Sequence, residues 1–251
     1  MRKRIEQSNL MMISDRLQAL TAAIDSVVYH RDLVKQYIRR HPEFQYSLEP
    51  VKIDEDSPEI VRLAAYAADM AEVGPFAALP GALAELSVRD MKSQRSEVNL
   101  VENGGEIAAV SNRVLNIGVY AGSSPLSGRV GFRLSEGDFP IGIATSSATV
   151  SRALNFGAAD AAVVIADSAS IADAVAKAVC NAVKGDDIEA SVQSGLEVAE
   201  TIPTIRGALV IRGSYAGRVG KLPKIVKIDG KLDDLFKASL HDILPYNSRL
   251  L

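Results

Sequence analysis

The spacing of apolar residues changes near Val98, and this change constrains the fold more than any other feature of the sequence. Before it, apolar residues recur at helical spacing, as in Leu17, Leu20 and Ile24. After it, short apolar runs are separated by turn residues at hairpin spacing. Helices return after about residue 168 and strands follow them. This succession predicts an α+β fold, with helices packed on largely antiparallel or mixed sheets.

The same patterns place the individual elements. Predicted helices begin near Ser14, at Ser57-Pro58, after Pro80, at Ser168 and near Asp187. Predicted strands cover residues 98–102, 107–110, 115–120, 130–134, 141–144, 161–165, 208–212 and 225–228, with a C-terminal tail after them. We expect residues 1–251 to form a single domain, in which a helical part, about residues 1–92, packs on the strand-rich remainder.

Composition excludes several classes of protein. Of the 251 residues 47% are hydrophobic, the net charge is -3 and there is no Trp, so nothing favours nucleic acid as a partner. Cys180 is the only cysteine, which suits a reducing compartment. The basic start is not followed by an apolar segment, and no apolar stretch is long enough to span a bilayer. We therefore expect a soluble cytoplasmic protein without a membrane partner.

The first candidate site is the turn Asn103-Gly104-Gly105-Glu106. Between two apolar runs, Asn-Gly is a strong hairpin signal because both turn positions need positive φ. That interpretation explains Asn103 and Gly104 without requiring a second glycine or the acid. Two glycines also let a phosphate or a ring approach the backbone closely. On residue chemistry alone, a plain hairpin and a ligand-binding loop are equally good interpretations.

Two further segments carry polar groups that suit a ligand. Thr145, Ser146 and Ser147 follow an apolar strand, where their hydroxyls either bind phosphate or a heterocycle or form a polar cap. Asp173 falls in the first turn of a predicted helix, four residues before Lys177. It is either a residue favoured there by the helix dipole or a ligand for a hard cation such as Mg²⁺. The structural interpretation is preferred for both segments.

Cys180 lies one turn beyond Lys177 on the same predicted helix. A nearby ammonium would lower the pKa of the thiol and make it reactive. Val175, Val179 and Val183 place this part of the helix close to its apolar face. We expect a buried, unreactive thiol.

These segments occur in an order that resembles the uncharacterised ApbE-like family, which is related to the FAD:protein FMN transferases. The resemblance covers most of the chain. It is carried by residues 37–44, 47–50, 73–78, 103–108, 118–122, 142–147, 155–161 and 172–176, which include Pro42, Gly74-Pro75, Asn103-Gly104-Gly105-Glu106, Tyr120 and Ala172-Asp173. Membership rests on the number and order of these segments, since none is diagnostic alone.

The resemblance implies a binding site and its ligand. The flavin transferases have an Asn-x-Gly-Gly-Asp loop at the flavin and an Ala-Asp-x-x-Ala-Thr helix start whose Asp and Thr bind Mg²⁺. It therefore implies FAD, FMN or a related phosphate-bearing ligand. The implied ligand-binding residues are Asn103, Gly104, Gly105, Glu106, Tyr120, Thr145, Ser146, Ser147, Asp173 and Lys177, with Asp173 as the implied metal ligand.

The sequence also departs from the family pattern. Lys177 stands where the transferases have the metal-binding Thr, and an ammonium repels a cation. The transferases' His-x-x-Asp-Pro segment has no counterpart. Ala144 stands where the uncharacterised branch commonly has a cysteine that suits persulfide chemistry in sulfur assimilation towards homocysteine. Three hypotheses remain: a flavin-nucleotide-binding protein, an Mg²⁺-dependent FMN transferase, and an accessory protein of sulfur assimilation that acts through a partner protein. A homo-oligomer is compatible with each, and whether the chain is an enzyme stays open.

Overall fold

The structure is a computed structural model that describes residues 1–150 and 154–228; the expected C-terminal tail lies outside the described residues. The helices are α1 (Leu17–Ile38), α2 (Glu43–Tyr46), α3 (Glu59–Ala71), α4 (Leu79–Ser93), α5 (Ala169–Ala182) and α6 (Ile188–Glu200). The strands are β1 (Arg2–Ile5), β2 (Ser8–Ser14), β3 (Val98–Asn103), β4 (Glu106–Ser111), β5 (Leu115–Gly118), β6 (Val130–Leu134), β7 (Ile141–Ser146), β8 (Ala161–Ala166), β9 (Ile205–Arg212), β10 (Tyr215–Gly220) and β11 (Lys224–Lys227). The predicted α+β class is confirmed.

The strands form two antiparallel sheets. The larger sheet has eight strands in the order β1-β2-β3-β4-β7-β8-β9-β10, and the smaller has three in the order β11-β6-β5. Strand β8 lies near the middle of the larger sheet and is buried along its whole length. This burial on both faces explains why its sequence is a continuous apolar run rather than an alternating one.

The larger sheet is the middle layer of three. On one face Ala162 and Val164 pack against α3, α5 and α6, and on the other Val163 and Ile165 pack against the smaller sheet. The period of two along β8 therefore assigns successive residues to different cores. A third apolar cluster joins α1 and α4 to strands β2, β3 and β4.

Helices α4 and α5 cap one another and pack closely. The backbone N–H of Gly81, in the first turn of α4, donates to Asp173 Oδ2 of α5 at 2.9 Å. In return, Glu85 of α4 accepts hydrogen bonds from the Ser168 hydroxyl at 2.6 Å and the Ser170 N–H at 3.1 Å. Carboxylates at helix N-termini satisfy free N–H groups and oppose the positive end of the dipole.

Gly81 is also where the two helices touch. A Cβ built on Gly81 would lie 2.3 Å from the Ala169 carbonyl oxygen, closer than real atoms approach. The helix predicted to begin after Pro80 is α4, and a glycine lies at its contact with α5.

Three strands have no counterpart among the predicted elements. Strand β1 is mostly exposed and charged, β2 contains the continuous apolar run Leu10-Met11-Met12-Ile13, and β10 is an exposed edge strand with two glycines. Their sequences lack the apolar alternation of a half-buried strand. The helix expected near Ser14 begins at Leu17, because the preceding residues pair with β3.

Within residues 1–150 and 154–228, no helix is both long enough and apolar enough to cross a membrane.

Candidate functional site

Three separate segments of the chain meet around a cavity of about 630 Å³. They are the β3–β4 turn, the end of β7 and the second turn of α5. Strand β4 pairs with β7, which brings the turn and the hydroxyl segment to the same end of the sheet. The predicted site residues that line the cavity are Asn103, Gly104, Glu106, Thr145, Ser146, Asp173 and Lys177. The volume falls within the range of about 300–1,000 Å³ that small-molecule sites occupy.

Three other predicted residues are not among those that line the cavity. Gly105 is adjacent to it, since a Cβ built there would lie 3.6 Å from the Thr145 carbonyl oxygen. The Ser147 hydroxyl accepts from the N–H groups of Thr149 at 3.2 Å and Val150 at 3.0 Å, which suits the capping interpretation. Tyr120 is 49% exposed just beyond β5.

The Gly-Gly turn is both a hairpin and part of the cavity wall, so its two interpretations are compatible. Asn103 pairs with Glu106, and the two turn residues are Gly104 at φ +81° and Gly105 at φ +124°. The expectation that the hairpin needs only the first glycine was therefore wrong. The two turn residues are Gly104 and Gly105 rather than Asn103 and Gly104. The Asn103 side chain donates to the Pro80 carbonyl at 3.2 Å, which ties the turn to the start of α4.

The sequence predicts Asp173 in the first turn of its helix, and this prediction was wrong. Because α5 begins at Ala169, Asp173 lies in the second turn. Burial raises its pKa from 3.8 to about 7, against the opposing effects of the Gly81 N–H and the Lys177 ammonium. Burial, with the nearby Asp173, also raises the pKa of Glu106 well above its ordinary value. Two neighbouring carboxyls in a poorly hydrated wall do not both ionise easily, so near neutral pH the pair retains a proton.

Lys177 places a cation on the same wall. Its ammonium donates to the Asn155 side-chain oxygen at 2.8 Å and to the Leu154 carbonyl at 3.1 Å. The Ser146 hydroxyl donates to the same Asn155 oxygen at 3.1 Å. Burial lowers the pKa of Lys177, while Cys180, Asp173 and Glu106 oppose that change. This wall of the cavity therefore carries hydrogen-bonding groups and the Lys177 cation beside the carboxyls of Glu106 and Asp173.

These residues do not fit a resident Mg²⁺ ion. Among residues 1–150 and 154–228, no group of three or more His, Cys, Asp and Glu side chains could hold a metal. Asp173 already accepts the Gly81 N–H, and the nearby Lys177 ammonium repels a cation. Mg²⁺ binds carboxylates in their ionised form, whereas the Glu106–Asp173 pair retains a proton near neutral pH.

Sequence reasoning missed much of the cavity. Its apolar wall comes from α1, α4 and the 3₁₀ turn Pro75–Ala78, where Phe76 is 37% exposed. A second group of polar residues comes from the N-terminal hairpin and α1, and comprises Glu6, Gln7, Ser8, Asn9, Arg31 and Lys35. These residues carry no local motif, and the unpredicted strands β1 and β2 bring them to the cavity.

Cys180 is fully buried on α5. Burial raises the pKa of its thiol, while hydrogen bonding to Ser146 and the Lys177 charge lower it less. The expected buried thiol is observed, and its raised pKa suits low reactivity.

Comparison with known proteins gives the family. The family model described as AbpE bacteria matches residues 1–201. A UPF0280 protein of Methanothermobacter thermautotrophicus is 43% identical over 213 residues, covering 84% of this chain and 82% of that one. The ApbE protein of Thermotoga maritima superposes with a TM-score of 0.60 at 12% identity, covering 87% of this chain and 96% of that one. The flavinyl transferase ApbE of Pseudomonas stutzeri superposes with a TM-score of 0.50 at 13% identity, covering 87% of this chain and 92% of that one.

The two structural likenesses, at such low identity, bear on the fold alone. The family match and the relative bear on ancestry, because each covers most of this chain. The chain belongs to the ApbE-like family described as AbpE bacteria, together with its UPF0280 relatives.

Proposed function

We propose that the cavity binds a flavin nucleotide or a related phosphate-bearing heterocycle. The observation that carries this proposal is the meeting of three distant segments, the Gly-Gly turn, Thr145-Ser146 and Asp173 with Lys177, around one cavity. Each had a purely structural explanation when taken alone. Their convergence on a space of ligand size favours a binding role.

The chemistry of the walls suits such a ligand. Phe76, Leu79 and Val34 supply apolar surface for a planar ring. Asn103 and Ser146 supply groups that can bond ring heteroatoms, although both already have a protein partner. A protonated carboxyl of the Glu106–Asp173 pair is a hydrogen-bond donor, and an ionised one is an acceptor. The pair can therefore match either kind of heteroatom.

A protein of the same fold supports a flavin as the heterocycle. The Pseudomonas stutzeri protein of the same fold is named a flavinyl transferase. In the resemblance, the Gly-Gly loop and the Asp173 helix correspond to segments of the transferases' flavin site. The proposal assigns binding to this chain and no reaction.

Flavin binding is tested by titrating the purified protein into FMN and FAD and following flavin fluorescence, with the melting temperature measured in parallel. We expect both nucleotides to bind and to raise the melting temperature. Phe76→Ala should weaken FMN binding about two- to thirteenfold, since an aromatic contact contributes about 0.5–1.5 kcal/mol beyond its buried area. Tyr66→Ala is the matched control, because Tyr66 is 54% exposed on α3 and outside the cavity lining. No binding and no thermal shift at millimolar FMN and FAD would refute the proposal.

Mg²⁺-dependent FMN transfer is the less favoured alternative, because the residues around Asp173 do not fit a resident Mg²⁺. The same protein incubated with FAD and Mg²⁺ should bind the nucleotide without releasing AMP. Release of AMP that depends on Mg²⁺, with the FMN left covalently attached to a protein hydroxyl, would establish the transferase instead. The sulfur-assimilation role, a partner protein, a homo-oligomer and cytoplasmic localisation stay predictions.

A further inference from the structure

The turn between β1 and β2 lies at the cavity and places a carboxylate beside two cations. Glu6 and Gln7 form this turn, and both line the cavity. One Glu6 carboxylate oxygen lies 2.9 Å from Arg31 Nη2, and the other accepts from Lys35 Nζ. Arg31 also donates to the Ser8 hydroxyl at 2.8 Å. Arg31 Nη2 also donates to the Gln7 side-chain oxygen, so these five polar side chains form one cluster.

The two cations lie next to each other in the cavity wall. Arg31 and Lys35 are four residues apart on α1, so they project from the same face of the helix. The Arg31 side chain is only 16% exposed, whereas that of Lys35 is 44% exposed. Arg31 Nε is buried without a hydrogen-bond partner among the described residues. A buried donor without a partner on a guanidinium is costly.

Glu6 is held in this position with some backbone strain. Its φ is +51°, in the left-handed region that residues other than glycine, Asn and Asp seldom adopt. An exposed salt bridge gains little energy, so the pairing of Glu6 with Lys35 is easily exchanged for another anion. A doubly charged phosphate offers more charge and more acceptor oxygens than a carboxylate does.

We propose that Arg31 and Lys35 bind the phosphate group of the cavity's ligand, and that the Glu6 carboxylate occupies this subsite until the ligand displaces it. This inference rests on the proposed function, because it assigns the ligand's phosphate group to one end of the same cavity. The β1–β2 turn is then an internal competitor that lowers the affinity for every phosphate-bearing ligand. A neutral ligand with the same ring does not compete with Glu6.

The test compares FMN with riboflavin, which lacks the phosphate, on the wild-type protein, Glu6→Gln and Lys35→Met. Removing the Glu6 charge should raise the affinity for FMN about tenfold, corresponding to about 1.4 kcal/mol. The affinity for riboflavin should change less than about twofold, a free-energy change of about 0.4 kcal/mol. Lys35→Met should weaken FMN binding selectively, and this exposed position avoids the risk that a change at the more buried Arg31 impairs folding.

Glu59→Gln is the matched control for a lost ion pair. Glu59 is bidentate with Arg89 between α3 and α4, and neither residue lines the cavity. The control should leave both flavin affinities unchanged. If Glu6→Gln changes the affinities for FMN and riboflavin equally, or changes neither, the proposed phosphate subsite is wrong.

Failure of this inference is distinguishable from failure of the proposed function. If neither flavin binds the wild-type protein, the flavin proposal fails while the subsite is still decided by titrating inorganic phosphate. Phosphate should bind Glu6→Gln more tightly than wild type and protect it from thermal unfolding. Equal phosphate affinities in these two proteins would contradict the subsite whatever the flavins do.

Discussion

The buried carboxyl of Asp173 should make stability depend on pH in a way that its amide analogue does not. Its pKa is raised from 3.8 to about 7, chiefly by burial. The folded state therefore holds a proton that the unfolded state releases above about pH 4. The stability that this proton represents is fully present below about pH 4 and is lost as the pH rises through about 7. Asp173→Asn keeps an oxygen for the Gly81 N–H and removes the titration.

The size of the effect follows from the shift. At about 1.4 kcal/mol per pKa unit, a change from 3.8 to about 7 corresponds to about 4 kcal/mol. We expect the free energy of unfolding of the wild-type protein to fall by about this amount relative to Asp173→Asn between about pH 4 and pH 8. Coupling to Glu106 broadens the transition without changing its sign.

Urea denaturation at a series of pH values measures the difference directly. Asp186→Asn is the matched control, since Asp186 is exposed between α5 and α6. Its curve should run parallel to that of the wild-type protein. If Asp173→Asn also runs parallel, Asp173 does not hold a proton in the folded state, and our account of the cavity's electrostatics is wrong.

Three further predictions concern single residues. Gly81→Ala should destabilise the protein by about 1–3 kcal/mol in urea denaturation, because its Cβ would meet the Ala169 carbonyl oxygen; unchanged stability would contradict the close packing of α4 on α5. Gly105→Ala should cost more stability than Gly104→Ala, since φ +124° lies farther than φ +81° from the left-handed minimum; the reverse order would place the turn differently. Cys180 should react with a thiol reagent only after unfolding, because the side chain is fully buried; rapid labelling of the native protein would refute this.

The sequence predicts the elements whose apolar period is set by a packed face. Strand β8 is buried along its whole length, and nine of the 14 residues of α5 are buried, so both have long apolar patterns. Strands β1 and β10 lie at the two edges of the larger sheet, where the backbone pairs on one side and the side chains remain largely exposed. Edge strands of this kind are formed by pairing with a neighbour, which a local pattern does not record.

The residues of the candidate site also differ in whether a local sequence pattern predicts them. Asn103, Ser146 and Asp173 belong to local motifs, and the sequence identified them. Arg31 and Glu6 become neighbours only because β1 and β2 join the sheet beside β3, over a separation of 25 residues. The mutual capping of α4 and α5 through Asp173 and Glu85 is likewise a tertiary contact, which the sequence of either helix alone does not predict.

A crystal structure of the protein with FMN would show where the nucleotide binds. We expect a flavin in the cavity, with its ring against the apolar wall at Phe76 and its phosphate at Arg31 and Lys35 in place of the Glu6 carboxylate. FMN bound elsewhere, or an empty cavity in crystals grown at saturating FMN, would show that the cavity is not a flavin site.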